Sequence, residues 1–512
     1  MEGNSQPEAE PVLLAYDYDG GSIGRRTSVG GAIAIASQLL KLLIQLGGLA
    51  ILARLLKPAD FGLVAMAATI SAFVSLFGDL GLSTATLQRK AVTQTMVSTL
   101  FYLGLAVAVT ITAAVAALSP LAARFYGDGR IAAIAAGLAL AIPLAAAGAQ
   151  QNALMARGMR WGAIQITSIG GQVAGVAVAV SIAWLTDLGY WALVAQAVAG
   201  QSCTLILQWS LCPWRPSLAL DVRGTFAEIG FGANVTGFGV ANYFHRQIDN
   251  VMIGKRWGES ELGFYSRAYA LIVLPMMVVN NAVGSAVIPL LSRVQDDAAA
   301  WRGYFVRALS LTCFGSYCVA CVLTVNSHEI IDVLLGPEWD YCGTILFYLA
   351  LSLFPITPMN AMGWLFISLD RSGRWFRWGL LTSVLFPVAY FAGLGFRSVG
   401  VAIAYTLAVA ALAVPCIVYA TKGTAITAAE IGKAVRAPLL AGAATVAAGL
   451  ALRPLWQAMP HALALVAGVV ATTALFGIVS VALLFIDKEQ ERQRRLLWSL
   501  LTGHPRAVPI DR

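Results

Sequence analysis

A charged side chain at the centre of an apolar helix costs roughly 3 kcal/mol on membrane-insertion scales, so one that is retained faces a wet cavity or a partner. Lys41 lies well inside an apolar run from 31 to 53, and Ser37, Gln38 and Gln45 recur around it at three- and four-residue spacing. That spacing gathers the four side chains on one helical face. A second polar face is carried by Asn234, Asn242, Arg246 and Asp249, with Arg246 and Asp249 three residues apart and able to pair. The two faces correspond, because 201 residues separate Lys41 from Asn242 and again Gln45 from Arg246. Each face thus offers one cation toward a shared cleft. Arg267 and Asn281, inside the next apolar stretch, extend the candidate binding set. The competing reading is interhelical hydrogen bonding, with Asp249 neutralising Arg246.

Other chemistry is not written in the chain. There is no GxxxxGK[ST] and no HExxH, and the four histidines (His245, His328, His461, His504) are scattered. No metal, no cofactor and no enzymatic activity are expected. Cys318 and Cys321 have CxxC spacing, but they fall mid-helix in an apolar run, where they read as packing residues. Arg157, Arg160, Arg371 and Arg374 lie on short polar turns and are candidates for a cytoplasmic gate.

The elements that must position these residues follow from composition. Of 512 residues, 58% are hydrophobic and 12% charged, with a mean hydropathy of +0.74; a soluble domain carries about 25% charged residues. Apolar runs of about 20 residues, the length that crosses a bilayer core, recur from Ala32 to Ile486. A β-barrel would show alternating segments of about 10 residues instead, so the fold is all-α and polytopic. The net charge of +8 bears on orientation, not on nucleic acid.

Run lengths predict about 14 transmembrane helices. The first six lie near 31–53, 61–82, 95–117, 131–153, 162–186 and 189–211. Eight more lie near 229–253, 262–291, 303–325, 342–368, 375–396, 398–420, 434–453 and 461–486. Residues 1–30 read as a disordered cytoplasmic tail, 212–228 as a cytoplasmic connector whose Pro213, Pro216, Arg215, Asp221 and Arg223 cannot stay in hydrocarbon, and 487–512 as a second cytoplasmic tail. With a cytoplasmic N-terminus, the loop Lys and Arg on the opposite side are only Arg54, Lys57, Arg124, Arg130, Lys255, Arg256, Arg397 and Arg453, out of 34 in the chain. That bias places both termini in the cytoplasm and favours an even number of spans. Pro275, Pro289, Pro355 and Pro358 are candidate kinks.

The chain also repeats itself. Asp60-Phe61-Gly62-Leu63 recurs as Glu261-Leu262-Gly263-Phe264 after 201 residues, and Arg157, Arg160 and Trp161 recur as Arg371, Arg374 and Trp375 after 214. Gly189 and Gly400 are 211 apart. Helices one to six (31–211) and seven to twelve (229–420) therefore read as two six-helix lobes related by an axis along the membrane normal, with two additional C-terminal helices in 421–486. Transporters built this way bind substrate at the interface of the repeats.

Particular stretches resemble a known family: Leu55-Leu56-Lys57-Pro58-Ala59-Asp60-Phe61-Gly62, Asn242-Tyr243-Phe244 with Asp249-Asn250, Gly263-Phe264-Tyr265-Ser266-Arg267-Ala268-Tyr269, Leu291-Ser292-Arg293-Val294-Gln295-Asp296-Asp297 and Leu335-Gly336-Pro337-Glu338-Trp339. From about Ser28 to Ala420 they resemble Wzx-type polysaccharide flippases of the colanic-acid exporter branch, within the multidrug/oligosaccharidyl-lipid/polysaccharide exporter superfamily. The resemblance implies a flippase in a bacterial inner membrane, moving undecaprenyl-pyrophosphate-linked oligosaccharide repeat units for exopolysaccharide or lipopolysaccharide synthesis. Its partners would be that lipid-linked substrate, membrane lipids, and the polysaccharide polymerase and export machinery. Two alternatives from the same superfamily are a peptidoglycan-precursor lipid flippase and a cation-coupled multidrug antiporter. The antiporter reading is weakened because Lys41 stands where such relatives carry a carboxylate.

Overall fold

The computed structural model describes residues 23–75, 83, 86–87, 92–221 and 226–486; side chains at 23–35, 70–75, 226–246, 277–282, 285–286 and 484–486 lie outside that description. Nearly all described residues are helical. In chain order the helices are α1 (Ile23–Leu55), α2 (Pro58–Ser75), α3 (Gln94–Tyr126), α4 (Arg130–Ala139), α5 (Ala141–Arg157), α6 (Trp161–Leu185), α7 (Trp191–Leu211), α8 (Phe226–Arg293), α9 (Ala298–Val325), α10 (Ser327–Leu334), α11 (Asp340–Leu351), α12 (Leu353–Ser368), α13 (Ser372–Gly393), α14 (Arg397–Thr421), α15 (Ala428–Leu452), α16 (Pro454–Gln457) and α17 (His461–Ile486).

Among the described residues, eight helices are long and apolar enough to span a membrane, or nine when Pro337–Leu351 and Leu353–Ser368, bent by 49°, count as one. Fourteen spans are compatible with this, since the stretch Ser372–Thr421 alone holds two of the expected helices. The chain is a polytopic all-α membrane protein.

Local chemistry sets the boundaries. Thr93 caps α3 by accepting from Met96 N at 3.2 Å, and Gly127 closes that helix with a φ of 84°, a conformation that glycine adopts without penalty. Thr427 and Glu430 form a capping box at the start of α15. α8 runs through 68 residues, but Gly258 (φ 86°, ψ −173°) breaks it between the two predicted helices at 229–253 and 262–291. The bend expected from Pro355 and Pro358 falls at Ser352, between α11 and α12, because Pro355 has no N–H to return to the Leu351 carbonyl and its ring crowds that group. One boundary is corrected: residues 23–30, assigned to a disordered tail, belong to α1. The rest of that tail, and the one from 487, lie outside the described residues.

By contacts the chain forms two compact units, Met1–Ser266 with 382–387, and Arg267–Leu381 with Val388–Arg512. In the first, α6 and α7 meet at their backbones: a Cβ on Gly171 would lie 2.7 Å from Gly200 O, and one on Gly175 2.7 Å from Gln196 O. Small residues permit such approach between membrane helices. The connector is not a free linker here. Trp214 donates to Gln94 Oε1 (2.7 Å), while Ser217 N and Asp221 N donate to the hydroxyls of Ser98 and Thr99 (both 2.9 Å), anchoring it to the start of α3.

The second unit is organised around α9, whose Trp301, Phe305, Leu309 and Tyr317 are buried against Met362 and Leu365 of α12 and Ile431 and Ala434 of α15. The two additional C-terminal helices pack into this core through glycines: a Cβ on Gly449 of α15 would lie 2.8 Å from Val325. Arg453 joins Glu329 of α10 through two hydrogen bonds of 2.9 and 3.1 Å, with side-chain exposures of 19% and 9%.

Candidate functional site

The four polar side chains of α1 differ in burial. Ser37 is buried, Gln38 and Lys41 are half-buried, and Gln45 is exposed. Lys41 Nζ donates to Gln165 Oε1 of α6 at 2.8 Å, and Gln172 Nε2, seven residues further along α6, donates to the Lys41 carbonyl at 3.0 Å. The lysine is therefore tied to α6 both through its ammonium and through its own carbonyl. An ammonium carries three donors, so the bond to Gln165 leaves capacity for an anion.

On the second face, Asn242 and Arg246 lie in α8 with side chains outside the described residues, as does the side chain of Asn281. Asp249 is buried, at 3% exposure. Its Oδ2 accepts from Tyr265 Oη at 2.9 Å and its Oδ1 from Asn250 N at 2.8 Å. Tyr265, on the far side of the Gly258 break, is thus a partner for Asp249 that sequence spacing did not assign. Arg267 follows two residues later, half-buried, at the start of the second unit.

The four gate arginines are differently employed. Arg157 donates to Thr86 O at 3.3 Å, and Arg160 is exposed. Arg371 donates to the carbonyls of Lys422 (2.9 Å) and Gly423, Arg374 donates to Lys422 O (2.6 Å), and the Arg374 guanidinium lies over the Tyr419 ring, 5.2 Å from its centroid. These bonds cap the C-terminus of α14, where orphan carbonyls and the helix dipole favour cations.

The repeat register at these turns is also revised. Met159 and Asp370 both have a φ of 51°, Arg160 N donates to Met155 O (2.9 Å) and Arg371 N to Phe366 O (2.8 Å), so the two turns coincide after 211 residues. Arg160 corresponds to Arg371. The 214-residue spacing of the Arg and Trp identities is displaced by about one helical turn, which keeps side chains on the same face and so resembles a true register.

Gln165, Gln172 and Tyr265 were missed by sequence reasoning. Gln165 and Gln172 were detectable as amides seven apart in an apolar span, the spacing that returns a side chain to one face. Away from these faces, Arg130 hydrogen bonds hold the Asp128 carboxyl below the usual carboxylate range at the α3–α4 turn.

Residues 51–343 match the profile of the family described as Polysaccharide biosynthesis protein. The chain is 23% identical to the Lipopolysaccharide biosynthesis protein WzxC of Escherichia coli (strain K12) over 388 residues, 75% of this chain and 79% of that protein. It is 25% identical to the Succinoglycan biosynthesis transport protein ExoT of Rhizobium meliloti (strain 1021) over 334 residues, 65% of this chain and 67% of that protein. Its fold is similar to that of a solved structure of the Lipid II flippase MurJ in an inward closed conformation, with a TM-score of 0.67 at 12% identity, covering 88% of this chain and 99% of that one.

Proposed function

Since this chain belongs to the polysaccharide biosynthesis protein family, we propose that it is a flippase that moves undecaprenyl-pyrophosphate-linked oligosaccharide repeat units from the cytoplasmic to the outer leaflet of a bacterial inner membrane. The observation that carries the reading is Lys41, a half-buried cation on α1, steadied by Gln165 and flanked by an amide stripe. A pyrophosphate leaving the headgroup region loses hydration, and an ammonium with donors to spare offsets that loss. Sugars find hydrogen-bonding partners in Gln38, Gln45 and Gln172, while the polyprenyl chain stays in lipid.

The lobes 31–211 and 229–420 alternate access around the substrate, with Arg246, Asn242, Asp249, Arg267 and Asn281 completing the headgroup site. The protein acts without catalysis and without a cofactor, and polymerase and export machinery receive its product. Deleting the gene tests the reading: lipid-linked repeat units should accumulate on the cytoplasmic leaflet. The native chain should clear them, and the Lys41→Ala variant should not.

A further inference from the structure

The duplication makes a contact with itself. A Cβ added to Gly62 at the start of α2 would overlap the carbonyl oxygen of Glu259, and one added to Gly263 would overlap the carbonyl oxygen of Pro58. Gly62 and Gly263 are 201 residues apart, and so are Pro58 and Glu259. Each copy thus presents its glycine to the same carbonyl of the other, the reciprocity of a two-fold, isologous interface. All four residues lie within the first compact unit.

The surroundings repeat the arrangement only in part. Phe61, Leu63 and Leu262 are buried at 3%, 1% and 0% exposure, so the glycines sit in a sealed apolar seam. Arg130 reaches Glu259 at 3.4 Å, and Lys255 donates to Phe125 O with its ammonium 5.0 Å from the Phe125 ring. A Cβ on Gly254 would lie 3.1 Å from Tyr126 and 3.2 Å from Met66. The backbones meet through Cα–H groups facing carbonyls, a weak and reversible type of bond. Gly258, with its positive φ, supplies the break that turns the second copy's carbonyl toward Gly62.

We propose that Gly62 and Gly263 form a two-fold clasp that closes the outer end of the transport route and parts once in each cycle. The proposal rests on the alternating-access reading given above and on the outward placement of residues 54–61 and 254–261. A side chain at either glycine would wedge the clasp open, and the two substitutions would act on the same closed state. The glycine–carbonyl contacts themselves carry no net charge, and the Arg130–Glu259 pair lies beside them.

The test uses the full chain in cells and a Leu63→Cys reporter, labelled from outside with a membrane-impermeant maleimide above the background of the parent chain. The reporter should be slow to label when the clasp is native. It should label about tenfold faster in Gly62→Ala or Gly263→Ala, with transport falling in step and membrane protein level retained. Gly129→Ala, where a Cβ meets nothing within 4 Å, should leave both readouts unchanged. Native-like protection and transport in the Gly62→Ala/Gly263→Ala double variant would overturn the clasp, and so would lost transport with the reporter still protected. Should the glycine variants fail to reach the membrane, the native-glycine reporter decides alone: labelling that rises during turnover supports parting, and complete protection with and without turnover overturns it. If the glycine effects on labelling appear but even the native chain moves no lipid-linked oligosaccharide, the clasp stands and the proposed substrate falls.

Discussion

Lys41 Nζ donates to Gln165 Oε1 at 2.8 Å, tying the cation of α1 to an amide 124 residues later on α6. The amide orients the ammonium without neutralising it, which a carboxylate at the same position would do. Replacing Gln165 with Glu should therefore silence transport by pairing with Lys41, whereas Gln165→Met should retain part of it. Lys41→Ala should lower the transport rate by about tenfold or more, since a hydrogen bond to a charged group contributes roughly 1.5–3 kcal/mol. Lys41→Arg should keep an intermediate rate, as charge survives while geometry shifts. Rates of surface-polysaccharide export at matched membrane protein levels check all four.

Asp249 is buried and accepts the Tyr265 hydroxyl at 2.9 Å across the helix break. Tyr265→Phe leaves a buried carboxylate short of one donor, a loss of about 1–3 kcal/mol. Thermal unfolding of the purified protein in detergent should show a lowered midpoint for Tyr265→Phe, and Asp249→Asn combined with it should recover part of the difference.

The positions of these partners mark how far the sequence alone could be read. The polar face around Lys41 was legible because amide and lysine spacing follows helical period in an otherwise apolar run, and the break at Gly258 was legible as a polar gap between two apolar runs. Gln165 and Tyr265 were not assigned, because which helices become neighbours is decided by packing of surfaces far apart in the chain. The bonding partners of Arg371 and Arg374 were not assigned for a related reason. Their sequence context shows basic residues on a polar turn, while the carbonyls they cap, at Lys422 and Gly423, come from the end of a helix about fifty residues away.

Arg453 and Glu329 are largely buried and doubly hydrogen-bonded, joining α10 to the end of α15. Removing one partner of a buried pair strands the other, so Arg453→Ala should destabilise the protein by about 3–5 kcal/mol. The double replacement Arg453→Met with Glu329→Leu should cost clearly less than Arg453→Ala alone. Thermal midpoints of the three proteins in one detergent provide the comparison.

The charge bias predicts the topology. A reporter active only outside the cytoplasm, fused after Leu334, should be active, and one fused after Gly373 should be silent. The opposite pattern would overturn the orientation on which the outer clasp depends.

Transport itself is tested most directly with the purified chain in proteoliposomes that carry undecaprenyl-pyrophosphate-linked oligosaccharide in both leaflets, scored by the rate at which inner-leaflet sugar becomes accessible to an external sugar-cleaving enzyme. The account predicts transfer much faster than in protein-free vesicles, and transfer that drops toward the protein-free rate when Lys41 is replaced by Ala. Transfer by the native chain no faster than in protein-free vesicles would contradict it.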